Sequence, residues 1–499
     1  MLIGQQVHRP VLGAEAFQGQ GDAQPVRGAA AKVAVDFHDG LQGGNVALDC
    51  RSGRRGLRGS TCYIARMWSE TALPLTSLDR FRRALLYGVA VSPSLGTAVS
   101  ALGRLALYLA ALFWLLAALA RHRSLLQAGA VERRPHALVL LAVGYMALTT
   151  LWSDVALPQA LGSWTRHARL LTVPVLACLI ASREEARAVL RVFAWGQVFI
   201  MLSAWMLVAG WSVPWATGEG QYYYAVYGTY LEQMISLAVL AAILWFQRAT
   251  VFGPRGRWLA LLLAGATLVL TLGFMPGRSG HMVLFGLLGL ALLQALPARR
   301  RWLALLLPPL AVALLWPVAP AFRDRMQAAL SEVRLFGQAG TETSSAGVRL
   351  VFWRASLQAV AERPLLGHGA GSWNTEYRRL KGPQASGRED TVSDPHQMFL
   401  LWAVEGGLLG LLLLCAVLTA LWRWGAAAAP ADAQTLRALV LALVISGLLN
   451  SMIYGIGMGD FFCVGLGLLV ALCRPLSGPA LAQQGQGGFG KGLGLRPDQ

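Results

Sequence analysis

Charge is scarce in this chain of 499 residues: 14% are Asp, Glu, Lys or Arg, against about 25% in soluble domains. The shortage excludes an ordinary water-soluble globule. The charge that is present leans one way, with 43 Lys and Arg against 25 Asp and Glu. These basic residues sit in small clusters rather than one stripe, so no nucleic-acid partner is expected. The six cysteines include no CxxC pair, and Cys178, Cys415, Cys463 and Cys473 lie in apolar runs. Neither a disulfide framework nor a zinc site follows from that spacing. There is also no P-loop, dinucleotide fingerprint, HExxH or soluble nucleotide-sugar domain, so no cofactor is expected.

What the chain has instead is apolar length. Hydrophobic residues make up 55% of it and fall in blocks of roughly 15–25, the pattern of helices crossing a bilayer. The fold class is an all-α polytopic membrane protein with about twelve spans: 84–102, 104–120, 136–153, 168–182, 189–210, 223–246, 258–274, 281–297, 302–318, 397–422, 434–454 and 458–474. Residues 1–66 lack an apolar block and are expected to be disordered, or an extension ahead of a start at Met67. Residues 67–83 form a cytoplasmic segment, 84–318 carry nine spans, 319–395 a large external loop, 396–474 three spans and 475–499 a disordered cytoplasmic tail.

Orientation follows from alternate connectors, because cytoplasmic loops keep an excess of Lys and Arg. Clusters at Arg80/Arg82/Arg83, Arg121/Arg123/Arg133/Arg134, Arg183/Arg187/Arg191, Arg248/Arg255/Arg257, Arg299/Arg300/Arg301 and Arg423/Arg437 all fall on one side. Both termini are therefore expected in the cytoplasm, with 319–395 on the external side. That loop holds ten basic and eight acidic residues, two stretches of helical character (322–335 and 347–362) and a turn-rich run, Pro364-Leu-Leu-Gly-His-Gly-Ala-Gly371. A small helical cap is predicted there.

Against the basic bias, Arg104, Arg166, Arg169 and Arg278 fall on the outer side and need another explanation. Arg278, in Met275-Pro-Gly-Arg-Ser-Gly280, reads either as a side chain snorkelling to lipid phosphate or as a bidentate grip on a phosphate-bearing substrate. Arg349 opens a helix of the cap, where a solvated face is the default. His396, in Asp394-Pro-His-Gln397, stands at the start of an apolar helix, whose dipole disfavours an imidazolium and keeps the ring neutral. It reads as an interfacial histidine or as a general base. Glu405, nine residues further into the apolar helix, is expected to be buried and paired. Arg166, His167 and Arg169 form another outer basic cluster, and Tyr222, Tyr223, Tyr224 and Tyr227 an aromatic belt. Without a carboxylate cluster outside the membrane, no metal site is expected.

The order of these features resembles the O-antigen ligase superfamily: Gly-Arg-Ser-Gly opening a span, a long outer loop with Arg349-x-x-x-Trp353 and Pro-Leu-Leu-Gly-His-Gly, then Asp-Pro-His-Gln and Glu405-x-Gly-x-x-Gly410-Leu. The resemblance covers residues 84–474 in topology and 275–411 in motif. It implies metal-independent, inverting glycosyl transfer on the periplasmic face, from undecaprenyl-diphosphate-linked O-antigen to lipid A core. It further implies that Arg278 and Arg349 bind the diphosphate, that His396 is catalytic, and that Arg166, Arg169, Asp394 and Gln397 support the site. Gln397 stands where the family usually has Asn, a change bearing on substrate detail. An O-antigen polymerase or a protein O-oligosaccharyltransferase would use the same donor and differ in acceptor. A multi-span transporter would carry internal repeats and grouped mid-membrane charges, which the sequence does not show.

Overall fold

Every described residue that forms regular structure is helical, as the apolar blocks predict. The computed structural model describes residues 77–120, 130–216, 223–253, 255–318, 320–334, 345–381 and 392–474. The expectations for 1–66 and 475–499 lie outside these residues, as do Tyr222 and Arg121 and Arg123. The helices are α1 (Ser77–Val91), α2 (Thr97–Ala120), α3 (Ala130–Leu148), α4 (Leu157–His167), α5 (Thr172–Leu179), α6 (Arg183–Val208), α7 (Tyr230–Phe246), α8 (Arg257–Gly273), α9 (Arg278–Ala295), α10 (Leu307–Val318), α11 (Pro320–Arg334), α12 (Ser345–Glu362), α13 (Trp373–Lys381), α14 (Met398–Trp424), α15 (Pro430–Leu449) and α16 (Ile456–Leu472).

Among the described residues, six stretches are long and apolar enough to cross a membrane: Thr97–Leu116, Pro135–Trp152, Arg183–Val208, Arg278–Ala295, Met398–Trp424 and Pro430–Leu449. Helices α7, α8 and α16 are apolar but shorter. Three expected spans take a different form: the run 302–318 divides into a 3-10 stretch that ends at Leu306 and the twelve-residue α10. The run 84–102 is broken by a 3-10 turn at Ser92–Ser94 around Pro93 and a left-handed Gly96, φ +97°. The run 168–182 is a 3-10 turn followed by the eight-residue α5, only about 12 Å long at 1.5 Å per residue. Its apolar character has a different cause: Val173, Leu176 and Ala177 are buried in the bundle core with α16.

Helix starts follow local chemistry. Ser182 caps α6 by accepting from the Glu185 N–H, and Thr229 and Glu232 form a reciprocal capping box on α7. Arg82 of α1 makes two 2.8 Å bonds to the Glu185 carboxylate and donates to the Leu179 carbonyl, tying α1 to α6. At the centre, α16 is buried from Met458 to Leu472.

One helix is broken on purpose. Gly407 interrupts α14 with φ +63° and ψ −166°, a backbone state that essentially only glycine adopts. The freed backbone groups are taken up by the Pro364–Gly371 run. His368 N–H donates to the Val404 carbonyl at 2.8 Å and Gly369 N–H to that of Glu405 at 2.9 Å, while Leu408 N–H donates to Pro364 at 2.8 Å. Tyr145 Oη donates to the Gly406 carbonyl at 2.7 Å. A kink in an apolar helix persists only where neighbours satisfy it in this way. Two separate sequence motifs are thus the two halves of one joint.

That joint seats the cap. Phe352 and Ala359 of α12 and Trp373 and Tyr377 of α13 form a small core with Leu401, Val404 and Tyr454. The Phe352 ring meets Trp373 edge-on at 5.1 Å, and Trp373 donates to Ser356 Oγ at 2.8 Å. The predicted stretches of helical character correspond to α11 and α12.

Candidate functional site

The segment Asp394–Gln397 is shaped by its own side chains. Asp394 Oδ1 accepts from the His396 N–H at 2.9 Å, an Asx turn, and Gln397 Oε1 caps α14 by accepting from the Leu400 N–H at 2.5 Å. Between them His396 is held at φ +52°, left-handed backbone that is uncommon outside glycine and that Asn, Asp and His enter more readily than other side chains. Its ring packs 6.0 Å from that of Phe352 and keeps Nδ1 3.6 Å from Asp394 Oδ1. Burial lowers the imidazole pKa below its ordinary value; Asp394 opposes that shift and the positive charge of Arg349 adds to it. The ring is thereby kept neutral at neutral pH, with a nitrogen able to accept a proton.

Arg349 lies in the first turns of α12, partly buried rather than on a solvated helix face. Burial depresses its pKa, and the nearby Arg278 depresses it further, while Tyr230 and Glu332 act in the opposite sense. Arg278, the first residue of α9, keeps Nη1 3.7 Å from Glu332 Oε2; the same oxygen accepts from the Ala346 N–H at the start of α12 at 3.0 Å. The residues singled out on three separate segments therefore lie within electrostatic reach, one after another: His396 within the field of Arg349, and Arg349 within that of Arg278. Two guanidinium groups in the neighbourhood of one carboxylate leave local positive charge, an arrangement suited to an anion.

The outer basic cluster Arg166–Arg169 does not act as a unit. Arg166 donates to Ser393 Oγ at 3.1 Å and lies over the Tyr454 ring, 4.6 Å from its centre. His167 turns inward and its Nε2–H meets Glu405 at 2.7 Å, where Ser163 Oγ and the Gly371 N–H also donate. Glu405 is fully buried and paired, as its depth requires. Arg169 is also buried, and its Nη1 spans the carbonyls of Ile453, Tyr454 and Gly455. That geometry makes it a clamp on the turn before α16 rather than a contact for substrate.

Several neighbours had no signal in the sequence. Tyr230, Glu332, Phe352 and Tyr454 reach the site by tertiary folding, and no motif marks them. Nor was a carboxylate cluster outside the apolar helices expected, yet the ligand atoms of Asp154, His368 and Glu376 lie within 4.8 Å of one another. His368 donates Nε2–H to the Ala359 carbonyl at 3.0 Å and turns Nδ1 toward Asp154, 3.2 Å away. Both carboxylates are already matched by cations: Arg363 reaches Asp154 at 3.0 Å and Arg379 reaches Glu376 at 2.7 Å. A divalent ion would have to displace that pairing, and the group reads first as the ion network joining the cap to the turn after α3.

Fold and site together define a polytopic membrane protein with a cationic, histidine-bearing site beneath a helical cap. Residues 259–415, a segment that holds Arg278, Arg349 and His396, match the family model described as O-Antigen ligase. A match over that segment supports glycosyltransferase-like activity of the ligase or polymerase type. The search of curated proteins finds no match.

Proposed function

We propose that this protein is an O-antigen ligase that transfers O-antigen from undecaprenyl diphosphate to a sugar of lipid A core, at the periplasmic face of the inner membrane. The observation that carries the reading is the electrostatic proximity of two arginines to a histidine held neutral by burial. In the reaction an acceptor hydroxyl oxygen bonds to the anomeric carbon of the donor as the bond from that carbon to the diphosphate oxygen breaks. His396 takes the hydroxyl proton, and the departing electron pair stays on the diphosphate, whose growing charge Arg278 and Arg349 offset. A single displacement inverts the anomeric centre. Asp394 and Gln397 act through the backbone, fixing the turn and the helix start from which the ring projects.

The orientation rests on the alternating basic clusters, and the metal-independence on the arginines taking the role a cation would otherwise fill. The test is transfer from purified lipid-linked glycan to lipid A core in detergent. His396→Ala should fall about 10²- to 10⁴-fold. Arg278→Lys and Arg349→Lys, which keep charge but lose the planar fork, should each be strongly impaired while folding normally. Near-wild-type transfer by His396→Ala would remove the base from the mechanism. Deleting the gene should abolish ligated O-antigen on lipopolysaccharide gels; loss of chain extension alone would mark a polymerase instead.

A further inference from the structure

A second polar cleft adjoins the histidine loop. It is a half-open cavity of about 210 Å³ lined by Gln159, Ser163 and Arg166 of α4, Asn374 of α13, Ser393 and Tyr454, smaller than the roughly 300–1,000 Å³ of drug-sized sites and suited to a single small ring rather than a chain of them. Its floor is rigid. Ser163 is bonded to the fully buried Glu405, and Tyr454 is 6% exposed with its carbonyl held by Arg169. Asn374 Nδ2 donates to the Val392 carbonyl at 2.7 Å, and Arg166 donates to Ser393. Both therefore brace the strand of chain that leads, within a few residues, to His396.

The lining is amides, hydroxyls, one guanidinium and the buried edge of one phenol, with no carboxylate among the residues that form it. Such a surface recognises a hydroxyl-rich ring, because fixed donors and acceptors meet the hydroxyls. It is a poor diphosphate site, because its single arginine is already committed to Ser393 and Tyr454, whereas two arginines lie within each other's field at Arg278 and Arg349. A transferase with its donor anion bound there still needs a place for the group that supplies the attacking hydroxyl. That place must abut the base.

We infer that the cleft between α4, α13 and Tyr454 binds the acceptor sugar and presents its hydroxyl to His396, an assignment that rests on the transfer reaction proposed above. Gly162 supplies a direct probe, since a Cβ there meets nothing within 4 Å and the residue borders the cleft. Gly162→Phe sets a ring at the wall of the cleft from a Cβ that meets no neighbour, and Gln159→Ala with Asn374→Ala trims polar contacts. Initial rates measured against lipid A core concentration at saturating donor, and the reverse, separate the two substrates. Each alteration should raise the acceptor KM about tenfold or more, the effect of losing one or two hydrogen bonds or the space itself, and leave the donor KM within about twofold. Gly162→Phe that transfers with an unchanged acceptor KM overturns the acceptor site while leaving the reaction intact. A rise in donor KM instead would assign the cleft to the donor glycan. Wild-type protein that modifies a serine-bearing peptide but no glycan would remove both the sugar site and the ligase reading.

Discussion

Gly407→Ala tests the joint between α14 and the cap. Alanine at φ +63°, ψ −166° is strained by about 1–3 kcal/mol, and its Cβ would overlap the Leu365 carbonyl and the Leu366 nitrogen. Those are backbone atoms, so no rotamer change relieves the overlap. The alternative is for the Pro364–Gly371 run to lift away, releasing the bonds His368 to Val404, Gly369 to Glu405, Leu408 to Pro364 and Leu409 to Leu365. Four bonds at about 0.5–1.5 kcal/mol each amount to about 2–6 kcal/mol, comparable with or larger than the strain. Whichever course is taken, the loss exceeds about 1 kcal/mol, and the thermal midpoint of the detergent-solubilised protein should fall by a few degrees or more. Gly289→Ala is the control: it lies within α9 with open space around the new methyl, and should leave the midpoint unchanged or slightly raised. Equal midpoints for Gly407→Ala and wild type would refute the argument that this break is held by backbone pairing.

The pH profile and the buried arginine give two further expectations. Because His396 has its pKa lowered by burial and must be neutral to accept a proton, transfer should persist below the ordinary imidazole value of about 6.5 and fail only at lower pH. Asp394→Asn keeps the turn's acceptor but removes the carboxylate that raises this pKa, so the acid limb of initial rate against pH should move further down; a shift upward would contradict the assigned electrostatics. Arg169→Ala leaves the carbonyls of Ile453, Tyr454 and Gly455 without their shared donor, at about 1–3 kcal/mol for each unsatisfied group. It should lower the thermal midpoint yet leave the KM for lipid-linked donor unchanged at low temperature, whereas a raised donor KM with an unaltered midpoint would return Arg169 to the substrate site.

The sequence by itself determined the solvent and the class of structure, because scarce charge and long apolar blocks admit helices in a bilayer and little else. It also determined the local devices: Asp394 turning the chain, Gln397 capping α14 and Glu405 requiring a buried partner all follow from chemistry within or beside one helix. It singled out Arg278, Arg349 and His396 through the order of several short motifs, each of which alone left a structural alternative open. Only the tertiary structure decided that these three lie near one another, since α9, α12 and the start of α14 are brought together by packing that no local pattern encodes. Packing likewise made the apolar run 168–182 a short core helix, for burial among helices and burial in lipid call for the same residues. It also divided Arg166, His167 and Arg169, adjacent in the chain, among a cleft, a buried carboxylate and a backbone clamp, because successive residues on a tightening helical turn point in different directions and each meets a different neighbour.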